Sequence, residues 1–236
     1  MPFEIQIAVA KTNKYASSES GDTVELVERP TGGLSVVLVD GQGSGQAAKT
    51  LSLLVSAKAV SLLKDGARDG AVARVVHDHL HAFRHGRVSA TLEILSVDLV
   101  TKTVVSSRNS HTPLLLWRDG SYEMLRSDSQ AIGPRRHTSP AVNEFAAEPG
   151  LRVAIFSDGV VSAGERKGCP FDPLAFANDS LSGDLTAQEM ADAILSEALA
   201  ADQGRANDDM TVVTLALGPR REYPHIRRMA VILPLA

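Results

Sequence analysis

Cysteine is nearly missing from this sequence. The 236 residues include one, Cys169, so no disulfide can form within the chain, and a reducing compartment is expected. Aromatic residues make up only 4%, and no apolar run approaches the roughly 20 residues that a membrane-spanning helix needs. No early segment joins a basic stretch to an apolar one as a secretory leader does. These absences predict a cytoplasmic protein without a membrane partner or attached sensor segment. A strong charge of one sign is lacking too. The net charge of −4 gives no overall attraction to nucleic acid, although Pro219-Arg220-Arg221 and Arg227-Arg228 make the tail locally basic, which reads as solvated surface.

What is present is ordinary globular material, 44% hydrophobic and 22% charged, enough for one sizeable core. We expect a single domain over 1–236, with its core at about 3–217 and a C-terminal extension at 218–236. Phe3 to Ala10, Thr23 to Val27 and Leu34 to Val39 carry strand patterns, and Pro30-Thr31-Gly32-Gly33 reads as a hairpin turn. Helical spacing runs from Ala47 to Leu62 and ends at Asp65-Gly66; a second helix is expected from about Gly70 to Phe83. From Ser89 to Leu125 the pattern is a meander of four strands joined by short connections, which should pair antiparallel. Val153 to Phe156 is a short buried strand, Leu185 to Leu199 an amphipathic helix and Thr211 to Leu217 a strand. This order lacks the regular β-α alternation that builds a parallel sheet. It suits antiparallel sheets covered by helices.

The segment VVLVDGQGSGQAAKT, Val36 to Thr50, can be read in three ways. As a phosphate-binding P-loop it matches at Gly43, Lys49 and Thr50 but has Ala48 where the second glycine belongs. Val153 to Asp158 could then supply a Mg²⁺-directed aspartate, yet the intervening meander conflicts with a parallel βαβ sheet. As a nucleophile elbow it would expose Ser44, but Gln42 and Gln46 occupy the glycine positions of that motif. In the third reading the strand delivers Asp40 to a metal.

Asp40 is one of several acids at strand ends. Asp22 precedes the strand beginning at Thr23, Asp158 follows Val153 to Ser157, and Asp208-Asp209 precede Met210. Each alone is explained by turn chemistry. Together at one edge of a core they would repel one another, and a hard divalent cation offsets that repulsion. Two such ions about 4 Å apart can share a carboxylate and activate water for attack on a phosphoryl group.

The segments Ser20-Gly21-Asp22, Val39 to Gly45, Ser157 to Val160 and Asn207 to Val213, with Asn109 to Leu116, resemble the ordered motifs of the PPM family of metal-dependent Ser/Thr protein phosphatases. They are most similar to its bacterial SpoIIE-like and RsbX-like branch. The resemblance spans about Ser20 to Leu217 and implies an α+β fold, an α-β-β-α sandwich of two mainly antiparallel sheets flanked by helices. It also implies two Mn²⁺ or Mg²⁺ ions. Asp40 would bridge them, the Gly41 carbonyl would complete one shell, Asp158 and Asp208 would hold the second ion, and Asp22 would act directly or through water. The choice between Asp208 and Asp209 stays open. Asp40 and Asp158 would thus carry catalysis of phosphoserine or phosphothreonine hydrolysis, on a phosphorylated regulatory protein of a stress or sporulation-type partner-switching system. Gln42 stands where eukaryotic members often have a histidine general acid, and Lys11 or Lys14 are the available substitutes for their phosphate-binding arginine. A nucleotide hydrolase using Lys49 and Thr50, or a catalytically silent regulator-binding module, are the alternatives.

Four further features invite a reading. His77, His81 and His85 share a helical face with zinc-like spacing, although a polar helix surface explains them as well. His111 fits a structural role in its turn. Gly41 and Gly43 should let the chain turn tightly, with Ala47 and Ala48 packing the following helix against a sheet. Ile226 to Leu235 reads as an extra strand or docking arm, its Pro234 favouring an edge position.

Overall fold

A computed structural model of the chain describes residues 3–219 and 227–232. In chain order the strands are β1 (Phe3–Thr12), β2 (Asp22–Glu28), β3 (Gly33–Gly41), β4 (Ala90–Asp98), β5 (Thr103–Asn109), β6 (Leu114–Arg118), β7 (Ser121–Leu125), β8 (Ala141–Ala146), β9 (Arg152–Phe156) and β10 (Met210–Pro219). The helices are α1 (Gly45–Lys64), α2 (Asp69–Arg84), α3 (Asp158–Val161), α4 (Pro173–Ser180) and α5 (Ala187–Ala201). Two five-stranded sheets form, ordered β1-β10-β9-β6-β7 and β2-β3-β4-β5-β8, and every pairing is antiparallel.

The apolar runs of the central strands follow from burial on both faces. Along β3, Val36 and Leu38 pack against the other sheet, while Val37 and Val39 pack under α1 and α2. Likewise Val153 and Ile155 of β9 and Val213, Leu215 and Leu217 of β10 fill the space between the sheets, and Ala154, Phe156 and Val212 lie under α5. Three apolar layers therefore alternate with two sheets in a helix-sheet-sheet-helix sandwich. Helix α1 turns Ala48, Leu51, Val55, Ala59 and Leu63 inward at helical spacing. Helix α5 starts with a reciprocal capping box between Thr186 and Glu189 and buries Met190, Ala191, Ile194 and Ala198.

The meander expectation needs a correction. β4 pairs with β5 and β6 with β7, but β5 and β6 belong to different sheets. The chain crosses between them at Ser110 to Pro113, and a buried polar knot fixes the crossing. Glu93 and Arg108 stand opposite each other in the β4–β5 register. The Ser110 and Thr112 hydroxyls donate to Glu93 Oε1. Arg108, fully buried, donates to the carbonyls of Thr112 (2.9 Å) and Leu125 (3.2 Å) and to Asn143 Oδ1 (3.2 Å). A layer of leucine and valine would leave the crossing carbonyls unpaired, at a cost of about 1–3 kcal/mol each.

Strand β8 and helix α4 were not anticipated. β8 is an edge strand whose sequence AVNEFA alternates in exposure, with Phe145 packed on the core but Val142 facing solvent and Asn143 turned inward, so its apolar pattern is mixed. α4 spans only eight residues. Arg227 to Ile232 carry no regular element, so no strand exists there among the described residues; Pro234, Leu235, Ile226 and the Arg220-Arg221 pair lie outside them.

Burial raises the pKa of Glu93 from 4.5 to about 7, against the opposing pull of Ser110, Thr112 and Arg108. A carboxyl whose folded-state pKa is raised contributes stability that is complete below the unfolded pKa and is lost as pH rises to the folded one. Thermal melts of wild type and Glu93→Gln should therefore show the wild type losing ground to the variant between about pH 4.5 and pH 7, with a level difference above. A difference that is flat or rises with pH would contradict the assignment.

Candidate metal centre and active site

Asp22 begins β2 and Asp40 lies near the end of β3, and the antiparallel register sets them directly opposite each other. Asp158 follows β9 as the first residue of α3, and Asp208-Asp209 precede β10, which pairs with β9. Both sheets thus deliver carboxylates to one end of the sandwich. There all five aspartates line an open cavity of about 430 Å³ together with Lys14, Gly41, Gln42 and Thr91.

The cavity is held by close backbone contacts. A Cβ on Gly41 would lie 2.3 Å from the Ala48 carbonyl oxygen, and one on Gly159 would lie 2.1 Å from that of Asp209. Gly41 is therefore needed for close approach and not for a turn; Gly43, with φ +96°, makes the turn. Ala48 is buried as expected, whereas Ala47 is exposed.

The acids differ sharply in environment. Asp22 Oδ2 accepts from the Thr211 hydroxyl at 2.5 Å, while its buried Oδ1 has no hydrogen-bond partner. Burial lifts the Asp22 pKa to about 6, opposed by hydrogen bonds from Thr211 and Ser157. Asp40 and Asp158 are close neighbours in the cavity. Burial pushes both pKa values up; Asp158, Asp22 and Asp208 raise Asp40 further, and Asp208 and Asp209 raise Asp158. Like charges crowded together in this way favour the protonated carboxyl.

Asp208 and Asp209 separate cleanly. Asp209 is 5% exposed, and its two oxygens accept from the backbone N–H groups of Lys14 (2.9 Å) and Gly21 (2.7 Å). It ties the loop before β2 to the start of β10. The Asp208 side chain is 41% exposed, with the Lys14 ammonium at 3.9 Å. Asp208 keeps its carboxylate available to the cavity.

Several readings of single residues are settled by their contacts. The Lys49 ammonium donates to the Asp22 carbonyl (2.8 Å) and the Thr23 hydroxyl (2.9 Å), and Thr50 bonds Gln46 within α1. With β3 and β9 in separate antiparallel sheets, the P-loop reading is overturned. Lys11 also donates to the Asp22 carbonyl, at 2.7 Å, which leaves Lys14 as the lysine that lines the cavity. Ser44 is the N-cap residue of α1, exposed and hydrogen-bonded to no base among the described residues. Gln42 Oε1 accepts from the Ser89 N–H (3.0 Å) and hydroxyl (3.3 Å), clamping the end of β3 to the start of β4.

The histidine reading changes most. His77 is buried and accepts from the Gly133 N–H (3.1 Å), and His81 Nδ1 bonds the Gly133 carbonyl (2.7 Å). His85 is the left-handed C-cap of α2, off the shared face. The pair anchors the segment before β8, next to cavity-lining Ala131, and is neither a polar surface nor a zinc site. His111 is exposed; Ser110 and Thr112 beside it make the structural bonds. Thr211, which positions Asp22, and Ser157, which bonds the Thr211 N–H and the Asp209 carbonyl, gave no signal beyond adjacency to the acidic motifs.

Among the described residues, no three His, Cys, Asp or Glu side chains close around one point. The donors available are carboxylate and carbonyl oxygens spread around an open cavity, with one buried oxygen unpartnered. Hard ions that retain several waters and take one or two carboxylates each fit that set; zinc does not.

The family model described as Stage II sporulation protein E matches residues 30–218. The chain belongs to the SpoIIE family. A Stage II sporulation protein E from Priestia megaterium is 24% identical over 224 residues, covering 91% of this chain and 37% of that protein, so this chain spans little more than a third of its relative. The structure of the PP2C phosphatase domain and a regulatory fragment of SpoIIE from Bacillus subtilis superposes with a TM-score of 0.79 at 20% identity, covering 93% of this chain and 65% of that one. RsbX in complex with magnesium has a TM-score of 0.68 at 17% identity, covering 92% and 99%. The two-sheet fold of this SpoIIE-family chain is that of the PP2C phosphatases.

The contrast between the adjacent acids is measurable. Asp209→Ala removes two hydrogen bonds to a buried charge, about 1.5–3 kcal/mol each, and should lower Tm by about 5 °C or more, since 1 kcal/mol moves a domain of this size by about 2–4 °C. Asp208→Ala should leave Tm within about 2 °C or raise it by relieving repulsion. Equal losses in differential scanning calorimetry would refute the division of roles.

Proposed function

We propose that this chain is a divalent-metal-dependent protein serine/threonine phosphatase, with residues 3–219 forming one catalytic domain. The observation that carries the proposal is the meeting of Asp22, Asp40, Asp158 and Asp208 in a single cavity, one of them with a buried, unpartnered oxygen. Membership of the SpoIIE family and the PP2C fold support it.

Mn²⁺ or Mg²⁺ is the proposed cofactor, as two ions, and RsbX with magnesium supports that choice. Bound there, the ions supply positive charge for phosphoryl oxygens and lower the pKa of water. Asp40 would bridge the ions, the Gly41 carbonyl would complete one shell, Asp158 and Asp208 would hold the second ion, and Asp22 would act directly or through water, with its free Oδ1 as donor. Lys14, the cavity's lysine, is placed to receive phosphoryl oxygens, taking the part considered above for Lys11 or Lys14. Gln42 is committed to Ser89 and carries no titratable proton, so the leaving serine or threonine oxygen takes its proton from water in the open cavity. The substrate class is phosphoserine or phosphothreonine on a cytoplasmic regulatory protein of the partner-switching type. Retention of all four acids argues against a silent binding module.

Hydrolysis of p-nitrophenyl phosphate should require Mn²⁺ or Mg²⁺, stop with chelator and fall by about 10² or more in Asp40→Asn, the scale of losing preorganised electrostatic stabilisation. Independently of turnover, Mn²⁺ should raise the Tm of wild type and leave that of Asp40→Asn unchanged. Activity that survives both chelation and the substitution would sink the proposal.

A further inference from the structure

Beside the acidic cavity lies a second recess of about 430 Å³. Gln42 and Gly43 form a wall common to both. Ala47 and Leu51 of α1 and Val88 give the recess an apolar lining, and Arg84 and Arg87 complete it. Both arginines are exposed, and neither forms an ion pair with a carboxylate among the described residues; Arg84 lies over the Phe83 ring at 5.1 Å. The recess also borders the first turn of α1, which carries no acidic residue and whose N-cap Ser44 makes no side-chain cap bond, so the positive end of that helix adds to the same field. A cationic, partly apolar recess thus adjoins a cavity lined by five aspartates.

We infer that this recess is a docking subsite for the segment of a protein substrate next to its phosphorylated residue, and that it selects an apolar side chain accompanied by aspartate or glutamate. The inference rests on the phosphatase reading above and adds to it a rule of substrate choice. Because the two recesses share a wall, one extended chain at about 3.3 Å per residue crosses from one to the other within roughly two to four residues. The apolar side chain is received by Ala47, Leu51 and Val88. The neighbouring carboxylate meets the guanidinium forks of Arg84 and Arg87, whose planar geometry suits it. A basic flank is repelled by the same arginines, so charge supplies discrimination as well as affinity. Gln42, held by Ser89, keeps the shared wall in place.

Three labelled phosphoserine peptides test this: one with Leu-Glu flanking the phosphoserine on both sides, one with Leu-Lys and one with Ala-Ala. Binding is read by fluorescence anisotropy, and turnover by phosphate release with Mn²⁺. Wild type should bind and hydrolyse the Leu-Glu peptide about tenfold better than the Leu-Lys peptide, with Ala-Ala between them, and the gap should narrow with salt. Arg84→Glu/Arg87→Glu should reverse that order while p-nitrophenyl phosphate turnover stays within about twofold. These substitutions are on the exposed surface; the milder Arg84→Gln/Arg87→Gln should abolish the charge preference without reversing it. Turnover of all three peptides at equal rates by wild type, or an unchanged preference in the reversed variant, overturns the subsite and leaves the phosphatase reading standing. Charge-dependent binding without turnover of any ester supports the recess and removes the phosphatase reading.

Discussion

Carboxylates brought into contact at the end of a two-sheet sandwich are the constraint around which this molecule is arranged. Burial and the neighbouring acids both push the Asp40 and Asp158 carboxyls toward their protonated forms. The fold does not relieve this tension with arginines. It places an unpartnered oxygen of Asp22 in the same cavity and leaves Asp208 open to solvent, an arrangement that the proposed divalent ions would complete.

The backbone holds the acids against their repulsion. Lys11 and Lys49 both donate to the Asp22 carbonyl, fixing the start of β2 from two directions. Asp209 spends its carboxylate on the backbone of Lys14 and Gly21, and Gly41 and Gly159 allow approaches that any side chain would block. These contacts connect the two sheets at the end where the site lies. Removing one alters where a ligand oxygen sits before it alters the number of ligands. Preorganisation of this kind is what electrostatic catalysis requires.

Most of the architecture was legible in the sequence because the central strands have distinctive patterns. VVLV in β3 and RVAIF in β9 are buried on both faces, and acids at their ends stand out against apolar runs. The four acidic segments also kept the order of a known family, the family to which the chain belongs. What was not legible depends on contacts distant in sequence. Nothing near Ser110 says that β5 and β6 part company, because the cause is Glu93 and Arg108 one strand away. The spacing of His77 and His81 is equally compatible with a metal, a wet surface or the Gly133 contact they make. The adjacent Asp208 and Asp209 are identical in type, and only the direction of each side chain assigns one to the loop and the other to the cavity. Lys49 looked like a phosphate ligand because its glycine-rich neighbours suit one, yet its ammonium is bound to the Asp22 carbonyl.

A general distinction between structural and functional charge follows. Asp69 is bonded by Arg29 and Ser96, and Asp209 by two N–H groups, so that in both the protein supplies the donors and the acid holds elements together. Glu93 is intermediate, with one oxygen bonded by Ser110 and Thr112 and the other buried without a partner. Asp22 Oδ1 lacks such a donor although it is fully buried, and burial of a polar atom without a partner is costly. Within the cavity, hydrogen bonding separates candidate ligands from scaffold better than acidity does, since the fully bonded Asp209 lies next to the open Asp208 and belongs to the scaffold.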